Sequence, residues 1–378
     1  MRQAISTILL FFVLILPFAM RAIFAPAETP PAPSAKRLVI ITANPQDIRR
    51  AFAQAFSQWY REHFGSDVVL DYRVPGGGND ILRQLQTTYR AARTADGKLR
   101  PNFHPDIDMV WGGGDYFFDV ELKRQAKVLE PMNVPASLLT AAFPQPTLAG
   151  VKLYDYQSAN GPNQRPEWVG ICLSSMGIIY NPTLYQSLGL PPPARWEDLT
   201  NEKLSGLIAL ADPSHSASVA LAYMMVVQHS MAEAEDHFFL QHPQDRLVDK
   251  SHLDKEPDYA SAINDGWRNG MEALQHIAGN ARYFTAWGSQ VPNDVGSGDA
   301  AAGVAIDFYG RVYEEEVGAN RCRFVAPVGA TSTTPDPIGI LAGVSGEQYE
   351  LANQFIEFLL SPTGQRLWIV RAGAPGGP

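Results

Sequence analysis

Ser214, Ser216 and Ser218 alternate along Asp212-Pro213-Ser214-His215-Ser216-Ala217-Ser218, a polar loop that opens into an apolar stretch. Hydroxyls and unpaired backbone N–H groups at a helix start are donors, and the helix dipole there favours negative charge. His215 adds a ring nitrogen to the same loop. Two glycine runs offer similar chemistry from the main chain: Gly76-Gly77-Gly78-Asn79 and Gly112-Gly113-Gly114-Asp115. Without a Cβ in the way, a ligand can approach these N–H groups closely. Such a donor set suits a phosphate, phosphonate or carboxylate. Asp115 and Asp307 could take an amine on the same ligand, and Tyr309 supplies a phenol. The same residues also read as ordinary structure, with 212–218 as a helix cap and Asp307 as the acceptor of a hinge hydrogen bond.

These groups are far apart in sequence, so a frame must gather them. Residues 38–42 (L-V-I-I-T) form a short β-branched run, as expected of a strand buried on both faces. Ala43-Asn44-Pro45 breaks it. Ile48, Phe52, Ala55, Phe56, Trp59 and Tyr60 then recur at helical spacing. Residues 68–74 alternate as a second strand, with a helix predicted over 81–93. Residues 107–111 predict a third strand, followed by a helical segment to 124. This alternation predicts a parallel α/β sheet. Its strands run into small-residue loops at Asn44, at Gly77, Gly78 and Asn79, and at Gly113, Gly114 and Asp115. In open parallel sheets, ligands bind beyond the carboxyl ends of the strands.

Further along, 171–180 and 207–211 are apolar runs of strand type. Residues 216–230 predict a helix buried on nearly every side, and the charged stretch 231–262 a solvated helical surface. A helix is predicted over 267–279, strands over 304–308 and 323–327, and an amphipathic helix over 348–360.

Other functions are excluded by what is missing. The chain has 378 residues and a net charge of −9, without the basic stripe of a general nucleic-acid binder. Neither glycine run has the spacing of a dinucleotide fingerprint or the Gly-Lys-Ser/Thr end of a Walker A loop. There is no Gly-x-Ser-x-Gly elbow and no paired-carboxylate arrangement, and Cys172 lies inside an apolar run, so no enzyme is expected. His229, His237, His242, His252 and His276 are scattered without an H-x-x-x-H pair, so no metal cluster and no cofactor are expected either. Two cysteines, Cys172 and Cys322, are too few for a zinc cage. They read either as a disulfide of an exported protein or as two small buried hydrophobes. At the N-terminus, Arg2 and the apolar residues 8–20 predict a signal peptide or membrane anchor over 1–25. Pro26, Pro30, Pro31 and Pro33 make 26–36 an extended linker. The end at Ala374-Pro375-Gly376-Gly377-Pro378 predicts that the chain is a C-terminally truncated piece.

Gly177-Ile178-Ile179-Tyr180-Asn181, Leu188-Gly189-Leu190-Pro191-Pro192-Pro193, Trp196-Glu197-Asp198-Leu199 and Ala211-Asp212-Pro213-Ser214-His215-Ser216 follow one another in an order that resembles the solute-binding proteins of ABC importers. The nearest branch holds ferric-ion, phosphonate, thiamine and polyamine binders. The helix ending in Ser361-Pro362-Thr363-Gly364-Gln365 is similar to the late helix of that family, and the resemblance spans roughly residues 37–372. It implies a type II periplasmic-binding-protein fold: two α/β lobes, each a mixed, mainly parallel sheet flanked by helices, with the ligand between them and hinge closure on binding. It divides the chain into 37–168 (lobe 1), 169–312 (lobe 2) and 313–378 (return to lobe 1). It implies a small-molecule or ion ligand, an ABC permease as partner, a monomer, no nucleic-acid partner and a periplasmic or extracytoplasmic location. A membrane-tethered sensor on the same scaffold would carry the same cleft. The ferric branch uses neighbouring tyrosines, and Tyr309 stands where it tends to place them. The flanking residues are Phe308 and Gly310. Tyr313 substitutes only if that segment is helical, and Asn44 stands where ferric binders place a histidine. Fe(III), if bound, would be held by Tyr309 as ligand rather than as cofactor.

Overall fold

The computed structural model describes residues 34–155 and 165–371, together with 15, 16, 20, 374, 375 and 377. The expected leader or anchor over 1–25, apart from those three positions, lies outside the described residues. So do the linker before residue 34 and part of the expected truncated end.

Strand β1 (Lys36–Thr42) pairs in parallel with β2 (Val68–Arg73) on one side and with β3 (Met109–Trp111) on the other. Leu38, Ile40 and Ile41 are fully buried, as a β-branched run inside a parallel sheet should be. Helix α1 (Gln46–Phe64) buries the stripe Phe52, Phe56, Trp59 and Tyr60. Phe56 meets Phe355 of the late helix with ring centroids 4.8 Å apart. Helix α2 (Gly78–Ala92) starts earlier than its apolar spacing predicted, because Gly78, Asn79 and Asp80 form a first turn with no apolar residue to reveal it.

The second lobe is built around β4 (Val169–Tyr180), β5 (Ile208–Ala211), β6 (Ala281–Thr285), β7 (Ala302–Ile306) and β8 (Arg323–Val325). Strand β9 (Thr333–Leu341) completes the sheet, whose order is β2-β1-β3-β9-β4-β7-β5-β6, with β8 also on β4. The parallel pairs β5–β7 and β5–β6 mirror those of the first lobe. The two long strands pair antiparallel and cross between lobes. The first half of β4 pairs with β9, and Met176–Tyr180 pair with β7. Val169 and Ile171 accordingly belong to one apolar core, and Met176, Ile178 and Ile179 to the other.

Three expectations need correction. The chain does not return to the first lobe at 313. The helical segment Asp307–Val317 packs Tyr313 and Val317 on the second core, and Cys322 and Ala330 are buried in it, so the return runs along β9. Helix α3 (Ala217–Gln241) extends well past 230 and is not buried all round: Val219, Ala222 and Val226 face the core, whereas Met224 is 53% exposed. Helix α4 (Gln290–Ser297) was not foreseen in a stretch holding Pro292 and Gly296. A proline in the first turn removes only an N–H that has no helical partner. Helix α5 (Asp307–Val317) follows β7 directly.

Cys172 and Cys322 are both free thiols, so of the two readings the packing one fits. No helix among the described residues is long and apolar enough to cross a membrane. Trp196, the head of the W-E-D-L motif, is fully buried and donates its Nε1–H to the Ala330 carbonyl at 2.7 Å. Trp196→Phe leaves that carbonyl unpartnered and a gap beside it. Urea denaturation should register a loss of about 2–3 kcal/mol.

Candidate ligand-binding site

The loops at the carboxyl ends of β1, β2 and β3 face the second lobe across a cavity of about 380 Å³. From the second lobe come the start of α3, residues 287–290 and the first turns of α5. Ser174 and Met176 of β4 and Thr334, Pro335 and Asp336 of β9, the crossing strands, line it as well.

Helix starts dominate this cavity. Gln46 of α1, Gly78 of α2, Ala217 of α3 and Gln290 of α4 are the first residues of their helices, and all line it. Each such end carries N–H groups without intrahelical partners and a partial charge of roughly +0.5. Arg49, on the first turn of α1, is the sole Lys or Arg among the described lining residues. Its Nε donates to the Asn44 carbonyl at 3.0 Å, which ties the β1 loop to the helix.

Asn44, Gly77, Gly78, Gly113, Gly114, Ser216, Ser218 and Tyr309 all line the cavity. Asn44 is placed by a hydrogen bond from its N–H to Thr42 Oγ1 (3.0 Å). Ser216 caps α3, and its Oγ lies 3.4 Å from Ser218 Oγ. Tyr309 donates its hydroxyl to Asn44 Oδ1 at 3.4 Å. Burial, with the Asp336 carboxylate nearby, pushes that hydroxyl's pKa up. The segment after Asp307 is helical, so Tyr313 lies one turn beyond Tyr309, and it too lines the cavity.

Asn79, Asp115, Ser214, His215 and Asp307 are not among the lining residues. Asn79 and His215 hold the lobes together instead. The Asn79 N–H donates to the His215 carbonyl (3.3 Å), Asn79 Nδ2 donates to the Pro213 carbonyl (3.1 Å), and His215 Nδ1 lies 3.1 Å from Asp80 Oδ2. Burial works against the Asp80 charge, but Arg83, His215 and the Gly77 N–H together hold its carboxyl below the ordinary range. Ser214 is exposed, with its N–H turned onto Asp212 Oδ1. Asp115 accepts from the Tyr116 N–H, and Asp307 from Ser175 Oγ and the Phe308 N–H. For Asp307 the hinge hydrogen bond is therefore what the fold provides, because Ser175 is on the crossing strand.

The Asp80–His215 pair is partly exposed, so by itself it is worth little. His215→Ala should shift the balance towards open lobes by about two- to fivefold, seen as a larger radius of gyration in small-angle scattering. An unchanged radius would show that the pair does not hold the lobes.

Sequence reasoning missed Asp336. It is 5% exposed, lines the cavity, and accepts from Trp111 Nε1 at 2.9 Å. Burial pushes its pKa up to about 6, against the pull of Trp111, Asn44 and the Gly113 N–H. The β4–β9 register shifts between Asp336 and Pro337, and such a bulge re-aims a side chain. The available signal was an acid set between Pro335 and Pro337 at the head of an apolar strand. Arg49 carries no such signal, because a charged residue in a polar first turn looks the same whether it faces solvent or a cavity.

Comparison with known proteins places this geometry. The phosphoglycerate transport regulatory protein PgtC of Salmonella typhimurium is 26% identical over 199 residues, 53% of this chain and 40% of that protein. The match thus spans less than half the length of this relative. The periplasmic binding protein AfuA from Actinobacillus pleuropneumoniae, solved with exogenous fructose-6-phosphate, superposes with a TM-score of 0.59 at 18% identity, over 88% of this chain and 82% of its own. Iron-bound HitA from Pseudomonas aeruginosa does so with a TM-score of 0.51 at 15% identity, over 89% and 84%. At these identities the structures share the two-lobed fold. A family model described as bacterial extracellular solute-binding protein matches residues 140–375, well over half of the chain. The chain therefore belongs to the bacterial extracellular solute-binding proteins, a family of binding proteins rather than enzymes.

Proposed function

We propose that this protein is an extracytoplasmic receptor that closes its lobes on a small organic anion and delivers it to an ABC permease. The observation that carries this reading is the convergence of the α1, α2, α3 and α4 N-termini, with Arg49, on one interlobe cavity. Away from bulk water each of these favours negative charge more strongly than it would at a free surface. A volume of about 380 Å³ suits a small metabolite, since ligand pockets start near roughly 300 Å³. Two of the relatives fit this chemistry, since AfuA was solved with a sugar phosphate and PgtC is named for phosphoglycerate transport regulation, whereas HitA was solved with iron. That second name also fits the sensor variant, in which the closed lobes signal to a membrane partner.

Fe(III) is the competing cargo, favoured by Tyr309 and Tyr313 on one face of α5. Tyr309, however, gives its proton to Asn44, and its surroundings disfavour the phenolate that a hard ferric ion needs. The test is a thermal-shift screen with 3-phosphoglycerate, fructose 6-phosphate, 2-aminoethylphosphonate, ferric citrate and spermidine. A ligand at ~100 times its Kd adds roughly 2.7 kcal/mol to stability. A shift with one of the phosphorus compounds supports the reading. A shift with ferric citrate or spermidine alone rejects it.

A further inference from the structure

We propose that Asp336 and Asn44 form a polar floor that reads a hydroxyl group, so that the ligand is a hydroxylated organic anion. The inference rests on the anion reading above and names the other end of the same ligand.

Both side chains are buried, at 5% and 4% exposure, and both line the cavity. Asn44 Oδ1 is occupied by the Tyr309 hydroxyl, whereas Asn44 Nδ2, near enough to the Asp336 carboxylate to favour its charged form, meets no acceptor at full hydrogen-bond geometry among the described residues. Native interiors leave few buried donors unpaired. Asp336 Oδ2 is taken by Trp111, and the Gly113 N–H also leans on the carboxylate, which keeps lone pairs to spare. Its other oxygen faces Gly112, which also lines the cavity. A Cβ placed on Gly112 would lie 3.3 Å from Asp336 Oδ1 and 3.7 Å from Asn44 Nδ2. The glycine therefore leaves a small space within reach of both an acceptor and a donor.

A hydroxyl is both donor and acceptor, so it satisfies both groups from one position. An ammonium has donors only and would leave Asn44 Nδ2 unpaired. A second anionic group would meet the Asp336 carboxylate in a low-dielectric site and be repelled. An aliphatic group would satisfy neither. Of these four ligand ends, the hydroxyl is the one the floor complements. The charged end is left to the helix starts and Arg49.

Isothermal titration of the full chain with sn-glycerol 3-phosphate, propyl phosphate and 3-aminopropyl phosphate tests this, because the three share one phosphate and differ in the far end. Glycerol 3-phosphate should bind at least tenfold more tightly than either of the others. In Asp336→Asn, and separately in Asn44→Ala, that ratio should fall below threefold, with folding checked by circular dichroism. Equal affinity for propyl phosphate overturns the inference and leaves the anion reading standing. Tightest binding of the aminopropyl ester overturns it in favour of a cation site. A ratio unchanged in both variants moves the selectivity elsewhere and also overturns it. If none of the three esters binds, the inference falls, and the thermal screen decides the anion reading by itself.

Discussion

Gly77→Ala should prevent full lobe closure while leaving each lobe folded. The backbone at Gly77 has φ −76° and ψ −177°, an extended conformation open to any residue. The substitution therefore adds no strain within its own lobe. A Cβ at this position would lie 2.1 Å from the His215 carbonyl oxygen and 3.3 Å from Ser216 Cα. Both belong to the opposite lobe and to main chain, which cannot rotate aside as a side chain can. At Gly78 a Cβ would come within 3.0 Å of the Ala217 methyl. The two glycines therefore allow the starts of α2 and α3 to touch. With Ala at 77 the lobes stop short, and the Asn79 and Asp80 contacts to 213–215 are lost together. Affinity for whichever compound scores in the thermal screen should fall about 100-fold, equivalent to about 2.7 kcal/mol. The unliganded melting temperature should hardly move, and small-angle scattering should report an open particle with or without ligand. Wild-type affinity in this variant would mean that the ligand is held without the contact at Gly77.

Asp336→Asn should make the protein more stable at neutral pH. The Asp336 carboxyl titrates near 6 in the fold, against 3.8 for the free group, because it is buried. A carboxyl raised in this way binds its proton more tightly folded than unfolded. Below about pH 3.8 it is protonated in both states and imposes no penalty. Between 3.8 and about 6 the unfolded chain loses the proton that the folded one keeps, so stability falls as pH rises. Above about 6 the penalty is constant, at about 3 kcal/mol. Asn keeps an oxygen for Trp111 and carries no charge. Denaturation at pH 7.5 should show a gain of about 2–3 kcal/mol, and at pH 4 almost none. A gain of the same size at both pH values would trace it to packing and contradict the buried-charge account. The same variant is expected to lose the hydroxyl selectivity proposed above, a trade of function for stability common at binding sites.

The strands over 36–42, 68–73, 169–180 and 208–211 were legible because a buried strand writes its environment into consecutive residues. The helical stripes of α1 and of the late helix were legible for the same reason, as was the Ser216 cap, whose signal is local. The family was legible because its motifs recur in one linear order. Where Gly77 and Gly78 lie was legible too, but not what they touch. They read as donors to a ligand, and in the fold Gly77 meets the opposite lobe. Asp115 and Asp307 read as ligand carboxylates, but their partners are Tyr116, Ser175 and Phe308.

By itself, then, the sequence determined most of the elements, their alternation, the family and the anion-favouring chemistry of several loops. Tertiary structure alone decided that β4 and β9 cross between two cores, that Asp336 turns inward at a bulge, and that Arg49 stands at the cavity. Local periodicity reports which face of an element is buried. A cleft is made of polar ends that converge from 44, 112, 216, 309 and 336, and nothing in the neighbours of any one of them records that they will meet.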